Sequence, residues 1–483
     1  MRKQGSVVKG DVFMNSTFRT ASFAALLLGI TALAGIPSTP ARAETLPEAV
    51  KTAISTFPSI DEAKANRRAQ DYELKQQRGL YLPSLEIGAG AGPEWSYNQS
   101  APDGKTMPRY ESTATLSLML FDGFGRESAI DRSASRVDAA ASRVLERSEA
   151  VAANAIEAYL NVLRNIELVK LAEDNIATHR TLQGRVGTRV RGGQSGSGDL
   201  QQANSRVSAA EDTLVQARRD LKDSHTVYIQ ILNEMPEDLS RYPLPKEALP
   251  ASVDEAVQVA LNSSPTLEAA GADLDEANAV HRQARSGFWP RFDAVVGGTA
   301  NRNIDGVRGE DNDASAMLRM RYNLFRGNID QNLRLETAER VSQARAAVLR
   351  LERAVAKEVR DSWNAMEAAQ MRADVLGQQV VANSQVVTSY RQEFDINQRT
   401  LLDLLDSENE LFTARSRAIT AEYAYDYSVY RTLAAMGQLN RTLGIDVPQE
   451  SYGGARKDAG VDPERTAPFI TRQPGYEMSK TTR

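Results

Sequence analysis

Two spacings of apolar residues govern this chain, and each of them occurs twice. In Thr113–Leu120 the residues Ala114, Leu116, Leu118 and Leu120 fall on one face and Thr113, Thr115 and Ser117 on the other, the period of two expected of a strand. Farther on, Ala316, Leu318, Met320, Tyr322 and Leu324 alternate with Met317, Arg319, Arg321 and Asn323. Weaker strands, rich in Gly and Ala, precede each of these, so the pattern predicts strands near 82–91, 112–121, 290–300 and 314–325. After Phe121-Asp122-Gly123 the spacing changes to 3.5: Ala134, Val137, Ala141, Val144, Ser148, Val151, Ala155, Ala158 and Val162 step by three and four without a break. The second copy repeats the step with Ala338, Val341, Val348, Val355, Val359, Ser362 and Met366, interrupted by Arg345 and Glu352.

No proline falls between Ala129 and Arg189. A helix of ~60 residues is therefore allowed, on the order of 90 Å long. Such a rod does not fit inside a compact domain. A glycine-rich turn, Gly192–Gly198, and a return helix from Asp199 to about Leu232 follow it; in the second copy the turn is Asp395–Arg399 and the return runs from Thr400 to about Leu439. Shorter helices open each copy, Leu46 to Gly79 interrupted by Pro58, and Val253 to Gly287.

The duplication is explicit. Leu46-Pro47-Glu48-Ala49-Val50 returns as Val253-Asp254-Glu255-Ala256-Val257, Leu82-Pro83 as Trp289-Pro290, and Phe121-Asp122-Gly123 as Phe325-Arg326-Gly327. The chain divides accordingly: 1–43 a leader, 44–232 the first copy, 233–252 a Pro-rich connector, 253–445 the second copy, and 446–483 a tail read as disordered because it is rich in Gly, Pro, Lys and Arg without periodicity.

The leader has the form of a secretory signal. Basic residues precede a charge-free run from Ala21 to Ile36, and Ala41-Arg42-Ala43 is a small-x-small cleavage site. The run is shorter than the roughly 20 residues that span a bilayer as a helix. Beyond it no window approaches a membrane helix, so any membrane role falls to the strands. At about 9–11 residues these have the length of tilted membrane strands, although a half-buried sheet of a soluble protein reads the same way. Segments Gly92–Met107 and Asn301–Asp313, full of Gly, Asn and Asp, read as outer loops. Four strands are too few to close a barrel, and an open edge is not tolerated in lipid, so several chains have to contribute; three give twelve strands. Glu86, Arg319 and Arg321 then face the barrel lumen.

Composition removes several function classes. The chain has no cysteine, which excludes disulfides and thiolate metal sites, and a net charge of −5 is a poor basis for binding nucleic acid. His179, His225 and His281 stand singly on helical stretches with no partner at i+3 or i+4, so neither a metal site nor a catalytic base is indicated. Gly104-Lys105-Thr106 lacks the earlier glycine of a phosphate loop, Gln99 standing in its place. No catalytic residue and no cofactor are expected.

The second turn, Phe394-Asp395-Ile396-Asn397-Gln398-Arg399-Thr400-Leu401-Leu402-Asp403-Leu404-Leu405-Asp406, is the densest in possible chemistry. Asp403 and Asp406 share a helix face. Around a three-fold axis they form a ring of carboxylates that attracts cations. The plainer reading is that Thr400-x-x-Asp403 is a helix cap and that acids in a first turn complement the helix dipole.

The whole layout of helix, two strands and coiled coil, repeated once, with Pro83 and Pro290 entering strands and Phe-x-Gly leaving them, resembles the TolC-type outer-membrane channel tunnels over roughly Glu44 to Ile445. The runs Tyr159–Arg164, Ala172–Asn175 with His179, Met235–Leu239 and Tyr322–Gly327 are similar to the branch serving type I protein secretion. The resemblance implies a homotrimer in the outer membrane. Its 12-stranded barrel continues as an α-helical tunnel in the periplasm, is embedded in outer-membrane lipid, and works with a periplasmic adaptor and, through it, an inner-membrane ABC transporter. The same architecture serves small-molecule efflux. The resemblance also implies that Asp403 and Asp406 are the paired aspartates of the periplasmic gate, and that Arg399 locks the closed tip against Asp199. Phe394 stands where the motif has a tyrosine and Gly198 where it has a threonine, which removes two hydrogen-bonding groups from such a lock.

Overall fold

The computed structural model describes residues 44–396 and 398–460; the leader and the last residues of the tail lie outside them. Helices α1 (Leu46–Thr56) and α2 (Pro58–Gly79) lead into strands β1 (Ser84–Asn98) and β2 (Ala101–Phe121), then rod α3 (Gly125–Arg191) and return α4 (Ser197–Leu232). The second copy repeats this as α5 (Val253–Ser263), α6 (Pro265–Ala284), β3 (Arg291–Arg302), β4 (Glu310–Arg321), rod α7 (Ile329–Asp395) and return α8 (Leu401–Ala435). Short helices α9 (Leu439–Thr442) and α10 (Ala455–Asp458) close the described chain.

Local chemistry sets these boundaries. Glu48 reaches back to the Thr45 backbone N–H at 3.0 Å as a capping box for α1, and prolines open α2 and α6 where their missing N–H costs nothing. Each rod has 67 residues, on the order of 100 Å. Every residue of the seam Ala134 to Val162 named above is buried, and small Ala and Ser side chains let α2, α4 and α6 approach α3 closely. In α7 burial begins in earnest only at Val348; Leu333, Leu335 and Leu349 are exposed. The main core lies where α1 and α5 cross the rods. There Tyr159 accepts the Ser240 N–H (3.0 Å) and lies 2.7 Å from the Glu44 carbonyl, while Tyr228 donates to the Glu44 carboxylate (2.7 Å), so the connector is pinned by buried hydroxyls.

The strands form one antiparallel meander in the order β1-β2-β3-β4. Two expectations require correction here. The outer loop expected at Gly92–Met107 is strand: β1 and β2 continue until Asn98, whose side chain accepts the N–H groups of Ser100 and Ala101. Arg109 bridges Glu94 (2.6 Å) and Glu111 (2.8 Å) across this extension, and Trp95 stacks on Tyr97. Ion pairs rather than apolar alternation hold it, so it carries no period-two signal. The loop in the second copy is likewise shorter, 303–309, and folds onto the hairpin through Asn303 to Pro108 and Asp305 to Glu94.

The tail is not disordered from 446. Gly454 and Ala455 give their N–H groups to Asp138 Oδ1, both at 2.7 Å, and Arg456 pairs with Asp131 (2.8 Å) and Asp275. A carboxylate on α3 thus collects orphan N–H groups of α10, an order that composition does not announce. Residues 461–483 lie outside the described residues.

Candidate functional site

The register of the sheet sorts its side chains. Leu85 faces Leu116, which faces Val296, which faces Ala316; Leu118, Ala294 and Leu318 form the next row, and Phe292 sits opposite Met320. These share one face, and Leu85, Ile87, Leu318 and Met320 are exposed on it. Trp95, Tyr97 and Tyr110 flank this apolar band at one end and Phe124, Trp289 and Phe325 at the other, all of them exposed. Ten residues separate Leu85 from Trp95 along β1, roughly 33 Å of strand, which after tilting matches a hydrocarbon layer with aromatic girdles at both interfaces. Left in water, such a band would be an aggregation site.

On the opposite face lie Glu86, level with Thr115, then Asp293 level with Arg319, and Arg291 level with Arg321. Asp293 accepts from Arg321 (2.8 Å) and Arg291 (3.0 Å). The three residues expected in the lumen, Glu86, Arg319 and Arg321, therefore share the polar face. Among the described residues no helix is long and apolar enough to cross a membrane.

At the far end of the rods the two tips meet. Phe394 is buried with Leu182, Val186, Leu401, Leu404 and Leu405. The Arg189 guanidinium lies over its ring (4.2 Å) and donates to its carbonyl (2.9 Å). Arg185 pairs with Asp395 (3.3 Å), and Arg206 on α4 with Asp406 on α8 (2.6 Å). Arg399 stacks on Tyr390 (4.1 Å) and pairs with Glu393 (2.8 Å), with Asp403 at 3.9 Å. Asp199 accepts the Gly196 N–H (3.3 Å) at the start of α4. Within the protomer Arg399 and Asp199 are thus not brought together, because each is taken up by its own turn.

The capping reading holds for Thr400, whose hydroxyl accepts the Asp403 N–H (3.2 Å). It leaves the Asp403 carboxylate half-buried beside Arg399. Arg185, Arg189 and Arg206, which tie the tips, were not singled out by sequence; their signal was the excess of arginine on the first tip facing aspartates on the second. His179 is buried, and burial, helped by Arg206, holds it below its ordinary pKa and so neutral.

A sheet with one apolar face between two aromatic girdles, mounted on rods too long for a compact domain, defines the protomer of a membrane channel with a helical extension. Comparison with known proteins agrees. The family model described as "Outer membrane efflux protein" matches twice, at residues 49–233 and 256–438, once on each copy. The chain is 25% identical over 440 residues to the outer membrane efflux protein BepC of Brucella suis, covering 89% of this chain and 93% of that one. To the outer membrane protein TolC of Escherichia coli it is 22% identical over 468 residues, covering 93% and 92%. The solved structure of the outer-membrane channel OprN superposes with a TM-score of 0.70 at 18% identity, over 90% of this chain and 99% of that one. The chain belongs to the outer membrane efflux protein family. It is an outer-membrane channel protein with the fold of the channel tunnels, and its family is one of ducts rather than enzymes.

Proposed function

We propose that three copies of this chain close a 12-stranded barrel and a six-hairpin tunnel, which serves as the passive exit duct of a tripartite export system with a periplasmic adaptor and an inner-membrane transporter. The carrying observation is the sheet itself. It has an apolar face of membrane height, yet β1 and β4 are both edges, and an unpaired edge is not tolerated in lipid. The exposed Leu333, Leu335 and Leu349 of α7 ask for the same neighbour. The purified mature protein should require detergent, run as a heat-modifiable trimer and conduct in planar bilayers. A water-soluble monomer would overturn the reading.

Gating belongs at the tips. Arg185–Asp395 and Arg206–Asp406 hold the second hairpin against the first, while Asp403 is held only at 3.9 Å by Arg399 of its own turn; a lock between Arg399 and Asp199 has to run between protomers. Docking of the adaptor shifts this tip from closed to open by binding the open form better. Exposed ion pairs contribute about 0.2–1 kcal/mol each, so Arg206→Ala should raise the ratio of open to closed channels by about 1.5- to 5-fold. Single-channel recordings in which Arg206→Ala and Arg399→Ala both match the wild type would remove the lock.

For the cargo, the runs Tyr159–Arg164, Ala172–Asn175, Met235–Leu239 and Tyr322–Gly327 support type I protein secretion with an ABC transporter as engine. The family description and the printed name of the Brucella relative favour small-molecule efflux as the second reading. Deleting the gene distinguishes them. Loss of particular secreted proteins with unchanged drug tolerance supports the first reading, and the converse supports the second.

A further inference from the structure

Where the sheet meets the rods, a cavity of about 450 Å³ lies between the two copies inside a single chain. Four guanidinium groups line it, those of Arg126, Arg291, Arg321 and Arg326. Three carboxylates oppose them. Arg291 and Arg321 share Asp293, Arg326 pairs with Asp330 (3.0 Å), and Asp122 spends an oxygen on the Arg126 backbone N–H (2.7 Å). Beside the cavity Arg319, level with Asp293 on the same face, makes no ion pair among the described residues. The site therefore carries an excess of positive charge.

Arg126 is the unusual member. It is 7% exposed, lies over the Tyr81 ring (4.2 Å), and donates to the carbonyls of Leu80 (3.2 Å) and Leu120 (3.3 Å). Its Nε has no hydrogen-bond partner, and the nearest Asp122 oxygen is 3.8 Å away. A buried cation with an idle donor costs free energy unless something accepts from it. Guanidinium groups on several walls of one cavity are suited to an acceptor with oxygens in several directions, which a phosphate has and a chloride lacks.

We infer that this junction cavity is a binding site for a phosphate-class oxyanion, held between Arg126, Arg321 and Arg326. Arg291, Arg321 and Met119 belong to the polar face of the sheet, so the ligand comes from the duct side, as a soluble phosphate or a phosphate-bearing cargo rather than a lipid headgroup. That route rests on the duct reading above; the cavity itself is complete within one protomer.

The test is calorimetry on the mature protein in neutral detergent, with inorganic pyrophosphate titrated at constant ionic strength against wild type and the double variant Arg321→Gln/Arg326→Gln. Both side chains are well exposed, so the fold should survive their replacement. Saturable binding of one pyrophosphate per protomer, weakened about tenfold or more in the variant, is expected for the loss of two charge-assisted contacts. Binding that does not saturate, or that the variant leaves unchanged, overturns the site. A parallel arm measures phosphatidylglycerol retained by native mass spectrometry from mixed nanodiscs. Retention that depends on the arginines without any pyrophosphate binding overturns the duct-side source. The same preparations go into planar bilayers: conducting channels that bind no pyrophosphate sink this inference alone, whereas absence of conductance sinks the duct.

Discussion

Replacing Gly123 by alanine should destabilise the protein by about 2–5 kcal/mol and largely abolish recovery of the assembled channel. Gly123 has φ +71° at the corner between β2 and α3, where a Cβ would sit 2.6 Å from the Trp289 Cβ and 2.8 Å from the Ser286 carbonyl oxygen. The left-handed backbone costs about 1–2 kcal/mol for an L-residue and forced overpacking about 1–3 more. Its duplicate provides the control. Gly327 has φ +59° with nothing within 4 Å of its Cβ position, so Gly327→Ala should lose only the conformational part, about 1–2 kcal/mol. Denaturant melts of the two variants, read beside their yields of heat-modifiable oligomer, decide the matter. Equal effects would mean that the contact with Trp289 is not what the glycine permits.

The second large effect is a pH dependence centred on Glu149. Its carboxylate, 6% exposed, accepts the N–H groups of Leu439 (3.1 Å) and Asn440 (3.2 Å) and so holds the turn after α8 against α3. Burial pushes its pKa up from 4.5 to about 7 even though both N–H groups pull it the other way. Between these values the folded chain binds a proton that the unfolded chain does not. The contribution is therefore complete below about pH 4.5 and is lost as pH rises through about 7, on the order of 3 kcal/mol in all. Glu149→Gln, which cannot ionise, should lack this dependence. Melting temperatures of both proteins from pH 5 to 8 should diverge, with the wild type falling relative to the variant; parallel curves would assign the proton elsewhere.

What sequence conveys about this protein follows from the range of each signal. The seam from Ala134 to Val162 was legible because its period is local and each position meets its neighbours on one face. The first Phe-x-Gly signal marked the end of β2, whereas β4 runs Glu310–Arg321 rather than the expected 314–325 and stops four residues before Phe325; in both copies the glycine has the same role. Gly123 with Phe124, and Gly327 with Asn328, are consecutive left-handed residues that turn a strand into a rod. The extension of β1 and β2 through Gly92, Pro93, Asp103 and Pro108 was not legible, since turn-forming residues are held there by Arg109, which pairs with Glu94 across the hairpin and with Glu111 on its own strand. At the tip, Phe394, Asp403 and Arg399 were visible as chemistry, but their partners depend on the rotational phase that the helices have reached about 60 residues from the start of each rod. That is why Arg206–Asp406 and Arg185–Asp395 had to be seen rather than read. The order of Gly454–Arg456 escaped for a related reason, as it depends on Asp138 more than 300 residues earlier.

The equal length of the two rods also restricts how this molecule can diverge. A heptad inserted into α3 alone would carry its tip about 10 Å past that of α7. The Arg185 and Arg206 contacts would then be out of reach. Heptads can be gained or lost only in both halves of the gene together, so a lineage that adapts to a wider or narrower periplasm has to pass through paired insertions or tolerate an intermediate with a mismatched tip.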